Sequence, residues 1–516
     1  MSIALPPPVT PQLAPIEALR AQAGDALVLD YRGIHLHLFG PLIGTRAVDP
    51  ELLRKRVAAA ETISDAVRQI GYLHYAHGYP AVLVSYGVAG GQDLYIRVAP
   101  GRVSAVRGPQ ELAAYFDDLP RQPVLRDSTL EADRALADAR SERAGESYRP
   151  QFRPGGGDTV VLDLGQAEHS GHQTAAVLDL SNYGNRYSGP YLAQAGLRQS
   201  FSSGDELALA GLSSLRFLGL GGAQSEPYHE GDLGWTRVTR YGVFGLEGRY
   251  ARFRQSVPGA ELGGLIGSGG LSWLLPLYAD FQHRLNFDLK ADRSYESIDA
   301  PSGAGKTLSE GYNSAEAGLG YTQRIERDSR RYEIKAALDL RKGLSRDYSG
   351  ESAANLAYLV LRPAFALRYE PNPHWGLGGE GRLQLGGSSV PQLEQFVIGG
   401  PTSLHAYEAG VGVGDRGESY RLGADWKDVG DSWIARHQLQ PAVFVEYGST
   451  RLNQKAVGEN SGRVALADAG LEVRLRFTSW LGGTLSGAQP FYRHGEENSP
   501  DGLKRKSLYF DLAARF

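Results

Sequence analysis

The chain of 516 residues contains no cysteine and a single methionine. No disulfide framework, thiolate metal site or thiol nucleophile is available to it, so the fold is indifferent to redox compartment. Long apolar runs are missing as well. None approaches the roughly 18 residues that a membrane-spanning helix requires, and the mean hydropathy is −0.31. This excludes helical spans only, because a transmembrane barrel alternates lipid-facing with lumen-facing residues and looks polar on average. An excess of one charge is also missing. Lysine and arginine number 54 against 58 acidic residues, which excludes the basic footprint of a nucleic-acid-binding protein. The opening stretch, Met1 to Pro15, has neither a basic n-region nor an apolar h-region and is not a secretory signal.

Signatures of catalysis are absent in the same way. Twelve histidines are scattered; His35 and His37, and His74 and His77, come nearest to clusters, with no HExxH or cysteine-bearing zinc spacing beside them. No GxSxG nucleophile elbow occurs. The paired carboxylates Asp117 and Asp118 read as a solvated helix end. No metal, cofactor or enzymatic activity is expected. One motif runs against these absences, since Gly412-Val-Gly414-Asp-Arg-Gly417 satisfies GxGxxG. A dinucleotide turn needs a strand before it and a helix after it. The segment after this one, Glu418 to Trp426, alternates larger apolar residues with polar or small ones, which predicts a strand. The glycines therefore belong to a long connection between strands.

From about residue 170 onward the period of two persists. Tyr332, Ile334, Ala336, Leu338 and Leu340 share one face of their segment, with Glu333, Lys335, Asp339 and Arg341 on the other. Leu285–Asp292, Leu471–Phe477 and Ser507–Phe516 repeat the pattern. A soluble sandwich or propeller also alternates, but these segments exceed the usual five or six residues. No blade-length repeat is visible, and the polar faces are densely charged with both signs. About sixteen such segments predict a closed transmembrane barrel with a wet lumen, an even strand count being the rule for single-chain bacterial barrels.

The first 168 residues have another rhythm. A proline-rich lead and a short helix around Pro15–Gln22 precede a strand over Ala26–Gly40. Helical spacing marks Asp49–Pro80, where Leu52, Val57, Ile63, Val67, Ile70 and Leu73 recur behind an Asp49-Pro50 start signal. Two strands come next, and the order then repeats from Arg102. The expected organisation is a leader at 1–25, α+β modules at 26–101 and 102–168, and a barrel at 169–516.

Two such modules before a sixteen-strand barrel resemble the outer-membrane transporters of two-partner secretion, the haemolysin and filamentous-haemagglutinin secretion/activation family with its POTRA domains. Gly78-Tyr79 and the Leu94–Val103 strand resemble the first module's turn and end. Pro154-Gly155 resembles the second module's hairpin, and Val177–Tyr191 with Gly204-Asp205 resembles the first barrel hairpin. By that resemblance Ile398–Trp426 holds a long extracellular loop, at about 398–420, that folds back into the lumen. Its tip is Leu404-His405-Ala406-Tyr407, with His405 where the family has arginine and Ala406 where it has glycine. The expected wall partner is Glu446. Arg416, within Asp415-Arg416-Gly417, is expected to supply the missing cation. Phe516 matches the C-terminal recognition signal of bacterial outer-membrane barrels, which implies dealings with the barrel-assembly machinery. The resemblance further implies placement in a Gram-negative outer membrane among its lipids, with the modules in the periplasm. It implies export without ATP of an unfolded exoprotein client, and a pore plugged at rest by the loop and the Pro15–Gln22 helix. A general barrel-assembly protein and a porin-like channel are the alternatives.

Overall fold

A computed structural model of the protein describes residues 6–44, 48–165, 168–169, 174–185, 188–215, 228–257, 260–280, 282–299, 306–327, 329–345, 355–428, 432–453, 462–495 and 505–516. The chain divides into two compact units.

The N-terminal unit begins with β1 (Gln12–Leu13) and α1 (Ile16–Gln22), then a hairpin of β2 (Leu27–Tyr31) and β3 (Ile34–Phe39). The single strand expected over Ala26–Gly40 is thus split. Arg32 and Gly33 both take positive φ, at 52° and 83°, and two successive such residues make the tight turn whose twist suits a hairpin. Next come helices α2 (Pro50–Ala58) and α3 (Ile63–Ala76), then β4 (Val82–Val88) and β5 (Asp93–Pro100). Each helix starts on a side-chain cap, Asp49 accepting from the Glu51 amide and Thr62 from the Asp65 amide. The sheet order is β1-β4-β5-β3-β2.

The second module holds β6 (Arg102–Arg107), α4 (Gln110–Ala113), α5 (Asp127–Ala144), β7 (Glu146–Ser147), β8 (Gln151–Gly156), β9 (Thr159–Asp163) and β10 (Glu168–His169). Its sheet runs β6-β9-β8, with β7 and β10 paired apart. Pro154 and Gly155 lie inside β8 at a register shift, and the hairpin turns at Gly157-Asp158 instead. The cause is Gly156 and Gly157, whose φ of 96° and 56° carry the reversal. Leu36, Ile70, Ile96 and Val98 from the first module and Leu112, Val160 and Leu162 from the second are fully buried in one continuous core.

The second unit is a closed antiparallel barrel. Its first half comprises β11 (Thr174–Ser181), β12 (Leu192–Ser200), β13 (Asp205–Ser214), β14 (Tyr228–Thr239), β15 (Gly242–Val257), β16 (Ala260–Ala279), β17 (His283–Asp299) and β18 (Lys306–Arg327). Then come β19 (Arg330–Gly343), β20 (Leu359–Glu370) and β21 (Trp375–Gly386). A long loop holding β22 (Phe396–Ile398) and β23 (Gly412–Gly414) interrupts the wall. The wall resumes with β24 (Arg416–Trp426), β25 (Gln440–Arg451), β26 (Arg463–Arg476), β27 (Leu481–His494) and β28 (Leu508–Arg515), the last pairing with β11 to close sixteen strands.

Outward faces carry Leu233, Leu246, Leu271, Leu338, Leu367, Leu422 and Leu471, all large and exposed. A continuous apolar band of this kind is stable against lipid and not against water. Tyr241, Trp375, Trp480 and Phe516 are exposed at the strand ends that share the short turns, the position of an aromatic girdle. Phe516 stacks near Trp480 at 5.7 Å. Its main chain exchanges both hydrogen bonds with Ala176, which extends the closing seam.

Candidate functional site: a loop latched inside the barrel

The inner wall sets the site. Strands β24, β25 and β26 pair so that Arg421 stands opposite Glu446, and Glu446 opposite Asp468. Strand neighbours in register point to the same face, so these three charges form a row across the wall. Glu472, four residues beyond Asp468, shares the face. Glu446 and Asp468 are almost wholly buried, and two adjacent carboxylates in such a place require donors.

Arg421 supplies one set, with Nη1 donating to Glu446 at 3.2 Å and Nη2 to Glu472 at 2.8 Å. Its guanidinium lies 4.3 Å over the Phe444 ring. The loop supplies the rest. His405 donates its backbone N–H to Glu446 at 2.9 Å, and its Nδ1 lies 2.9 and 3.0 Å from the two carboxylate oxygens. The Ala406 amide donates to Asp468 at 2.8 Å. The Tyr509 hydroxyl donates to the Tyr407 carbonyl at 2.5 Å, and the Lys506 amide to the Ala406 carbonyl at 3.1 Å. Leu404, Ala406 and Tyr407 are buried with Phe396, Ile398, Phe444 and Leu466.

The structure therefore brings His405 and Glu446 together as expected from the resemblance, and corrects the source of the extra cation. Arg416 is exposed, because it lies five residues from Arg421 on one strand and an odd offset points to the opposite face. Arg421 takes the role. Its signal is present in the Glu418–Trp426 alternation, which places it on the polar face. Asp415 serves the loop's base: it accepts from the Val390 amide at 2.8 Å and the Asn453 amide at 2.7 Å. Gly417 lies beneath the Phe396 ring, where a Cβ would come 2.2 Å from the nearest ring carbon. The GxGxxG glycines thus serve close packing between the loop and the wall.

A second attachment was not foreseen. Glu394, in a short 3-10 turn at Gln392–Glu394 before β22, is 5% exposed. Arg341 reaches it through Nε and Nη2, both at 2.7 Å, and Arg362 through Nη2 at 2.7 Å. The Tyr312 hydroxyl donates to it at 3.1 Å. Arg341 is held in turn by Asp292 at 2.8 and 2.9 Å. A lone acid in a loop carries no periodicity, so only the basic faces of β19 and β20 hinted at it. The loop thus touches β18 to β20 at one attachment and β24 to β28 at the other, and so spans the lumen.

The remaining sequence candidates lie in the N-terminal unit. Gly78 ends α3 with φ 91° and its carbonyl accepts from the Asp127 amide at 3.3 Å. Tyr79 is buried beneath the Arg126 guanidinium, 4.1 Å from its ring centroid. His37 bonds Asp93 at 2.8 Å, and His74 and His77 each bond a backbone carbonyl one helical turn back. The leader helix, expected as a lumen plug, is found on the first module's sheet: β1 pairs with β4, and Leu19 is buried there.

No family model matches the sequence, and no curated protein matches it. Solved structures do resemble the fold. CdiB from Escherichia coli matches with a TM-score of 0.68 at 13% identity, over 96% of this chain and 91% of that one. CdiB from Acinetobacter baumannii matches with a TM-score of 0.63 at 14% identity over the same shares. BamA from Haemophilus ducreyi, lacking POTRA domains 1–3, matches at 0.50 and 13% identity over 95% of this chain and all of that one. These likenesses show a shared fold.

Proposed function

We propose that this chain is a two-partner secretion transporter of a Gram-negative outer membrane, which passes an unfolded exoprotein through its barrel without ATP or catalytic chemistry. The observation that carries the reading is the loop held across the lumen by two buried polar latches. A latch made of ion pairs and hydrogen bonds holds while the lumen is closed, and water or a polar chain that enters solvates the same groups and weakens it. The inner wall suits an extended polar client, with Glu247, Arg249, Lys290, Asp292, Glu316, Arg341 and Arg362 mixing both signs. Neither sign forms a trap for one class of peptide.

The modules fit the receiving role, because a sheet edge captures extended chain through main-chain hydrogen bonds that do not fix sequence. They would stand in the periplasm, where the client emerges. Folding of the client outside the cell supplies direction. The likeness to both CdiB structures over nearly the whole chain supports this reading. The likeness to BamA supports a second one, general assembly of outer-membrane barrels.

One comparison tests both: the culture-medium and outer-membrane proteomes of the native bacterium with and without this gene. Loss of one or two large exoproteins, with other barrels intact, is the expected result. Depletion of many barrels establishes assembly instead. No change in either fraction leaves a porin-like channel and overturns the proposal.

A further inference from the structure

The two modules share a sheet order, β4-β5-β3 in the first and β8-β9-β6 in the second, so β4 and β8 are corresponding edges. They are managed differently. In β8, Pro154 removes a backbone donor and a register shift bends the strand, two devices that blunt an edge against further pairing. Strand β4 reads Val82-Leu-Val-Ser-Tyr-Gly-Val88, seven residues with no proline, no charge and no register shift against β5. Bare, such an edge is a template for any extended chain.

Here the chain covers it with its own N-terminus. Gln12 pairs in parallel with Ser85 and Leu13 with Tyr86, and the Ala14 amide donates to the Tyr86 carbonyl at 2.9 Å. Leu19, the buried residue of α1, then lies against Gly87. A Cβ at Gly87 would meet the Ala14 carbonyl at 2.9 Å and the Leu19 side chain at 3.0 Å. This glycine sits inside a strand, where it costs stability, at the place where the N-terminal segment crosses. The cover is short. It pairs with two of the seven residues, Leu13 is 74% exposed, and α1 has no side-chain N-cap.

We propose that the outer edge of β4 is a docking site for an extended polypeptide strand followed by a leucine-like side chain over Gly87, and that residues 12–22 occupy it in cis until such a segment displaces them. The occupant's chemistry is read from the one seated there. The proposal rests on the transporter reading, in which that segment belongs to the client.

The absence of cysteine makes a clean lock available. Adjacent strands lie about 4.8 Å apart, within disulfide reach, so Gln12→Cys with Ser85→Cys ties the cover to the edge. Export of the client in the native host is measured with the lock oxidised and after reduction. Loss of export when oxidised and recovery on reduction is the expected result; equal export in both states overturns the proposal. Binding is measured separately, with a fluorescent peptide of residues 9–22 added to purified chain. A protease site placed at Ala23-Gly24 lets the chain fold intact before its cover is cut and washed away. The uncovered chain is expected to bind the peptide, and the intact chain and an uncovered Gly87→Val variant are not. Equal binding by all three, or none by any, overturns the docking site. Peptide binding with no exported client would leave the site standing and sink the transporter reading alone.

Discussion

Arg421 divides its guanidinium between Glu446, its cross-strand neighbour in register, and Glu472 on the next strand but one. This fork keeps Glu446 oriented towards the lumen, where the loop's His405 completes its hydrogen bonding. The wall half of the latch is therefore assembled from three strands.

The contacts at the tip rank its variants. Glu446→Gln removes the carboxylate shared by His405 and Arg421, and breaking a buried pair costs about 3–5 kcal/mol. His405→Ala keeps the backbone donor and the Arg421 pair, so its cost falls to about 1–3 kcal/mol. In planar lipid bilayers the first variant should open far more often than the second, with loop cleavage by added protease rising in the same order. The reverse order would show that the histidine, not the wall acid, holds the tip.

Glu394→Gln should release the other end. It removes the anion that Arg341 and Arg362 both hold at 2.7 Å, though Arg341 retains Asp292 and both keep the more distant Glu316 at 3.8 and 3.4 Å. Bilayer recordings should show raised open probability while the tip stays protected from protease. Combined with Glu446→Gln it should abolish the closed resting state. A double variant no more conductive than either single would mean that one attachment suffices.

Gly417→Ala tests packing without touching charge. Its methyl group would displace the Phe396 ring, and overpacking of this kind costs about 1–3 kcal/mol. Faster proteolysis of the β22–β23 hairpin in the folded barrel is expected. Parent-like proteolysis would show that the ring moves aside freely.

The second module should lose stability as pH rises. Burial, with Asp118 and Asp117 close by, pushes the Asp133 carboxyl up to about 8, against about 3.9 in an unfolded chain. The folded state thus binds the extra proton between these values, and stability present below pH about 4 is lost progressively up to about 8. Hydrogen exchange of α5 amides, corrected for intrinsic rate, should show stronger protection at pH 5 than at pH 8. Asp133→Asn should remove the difference, and a slope that survives in the variant assigns it elsewhere.

The barrel was legible because the wall strands alternate apolar and polar faces over many segments, even though Phe444 and Leu466 turn apolar side chains inward under the loop. The tip of the loop was legible only through resemblance, since Leu404 to Tyr407 has no periodicity of its own. Arg416 draws attention over Arg421 because it sits beside the glycines, whereas the decisive quantity is strand parity. Glu394 was invisible for a different reason: its partners Arg341 and Arg362 lie more than thirty residues away in sequence. The split of Ala26–Gly40 depends on Arg32 accepting a left-handed conformation, which residue type alone does not announce.

The two latches are opposite in polarity. At one attachment the loop offers an acid to wall arginines, and at the other it offers donors to wall acids. A loop turned end for end would set acid against acid and take from Arg341 and Arg362 the carboxylate they share in Glu394, so the two attachments fit it in one orientation only. The closed form is keyed by charge and admits the loop one way round.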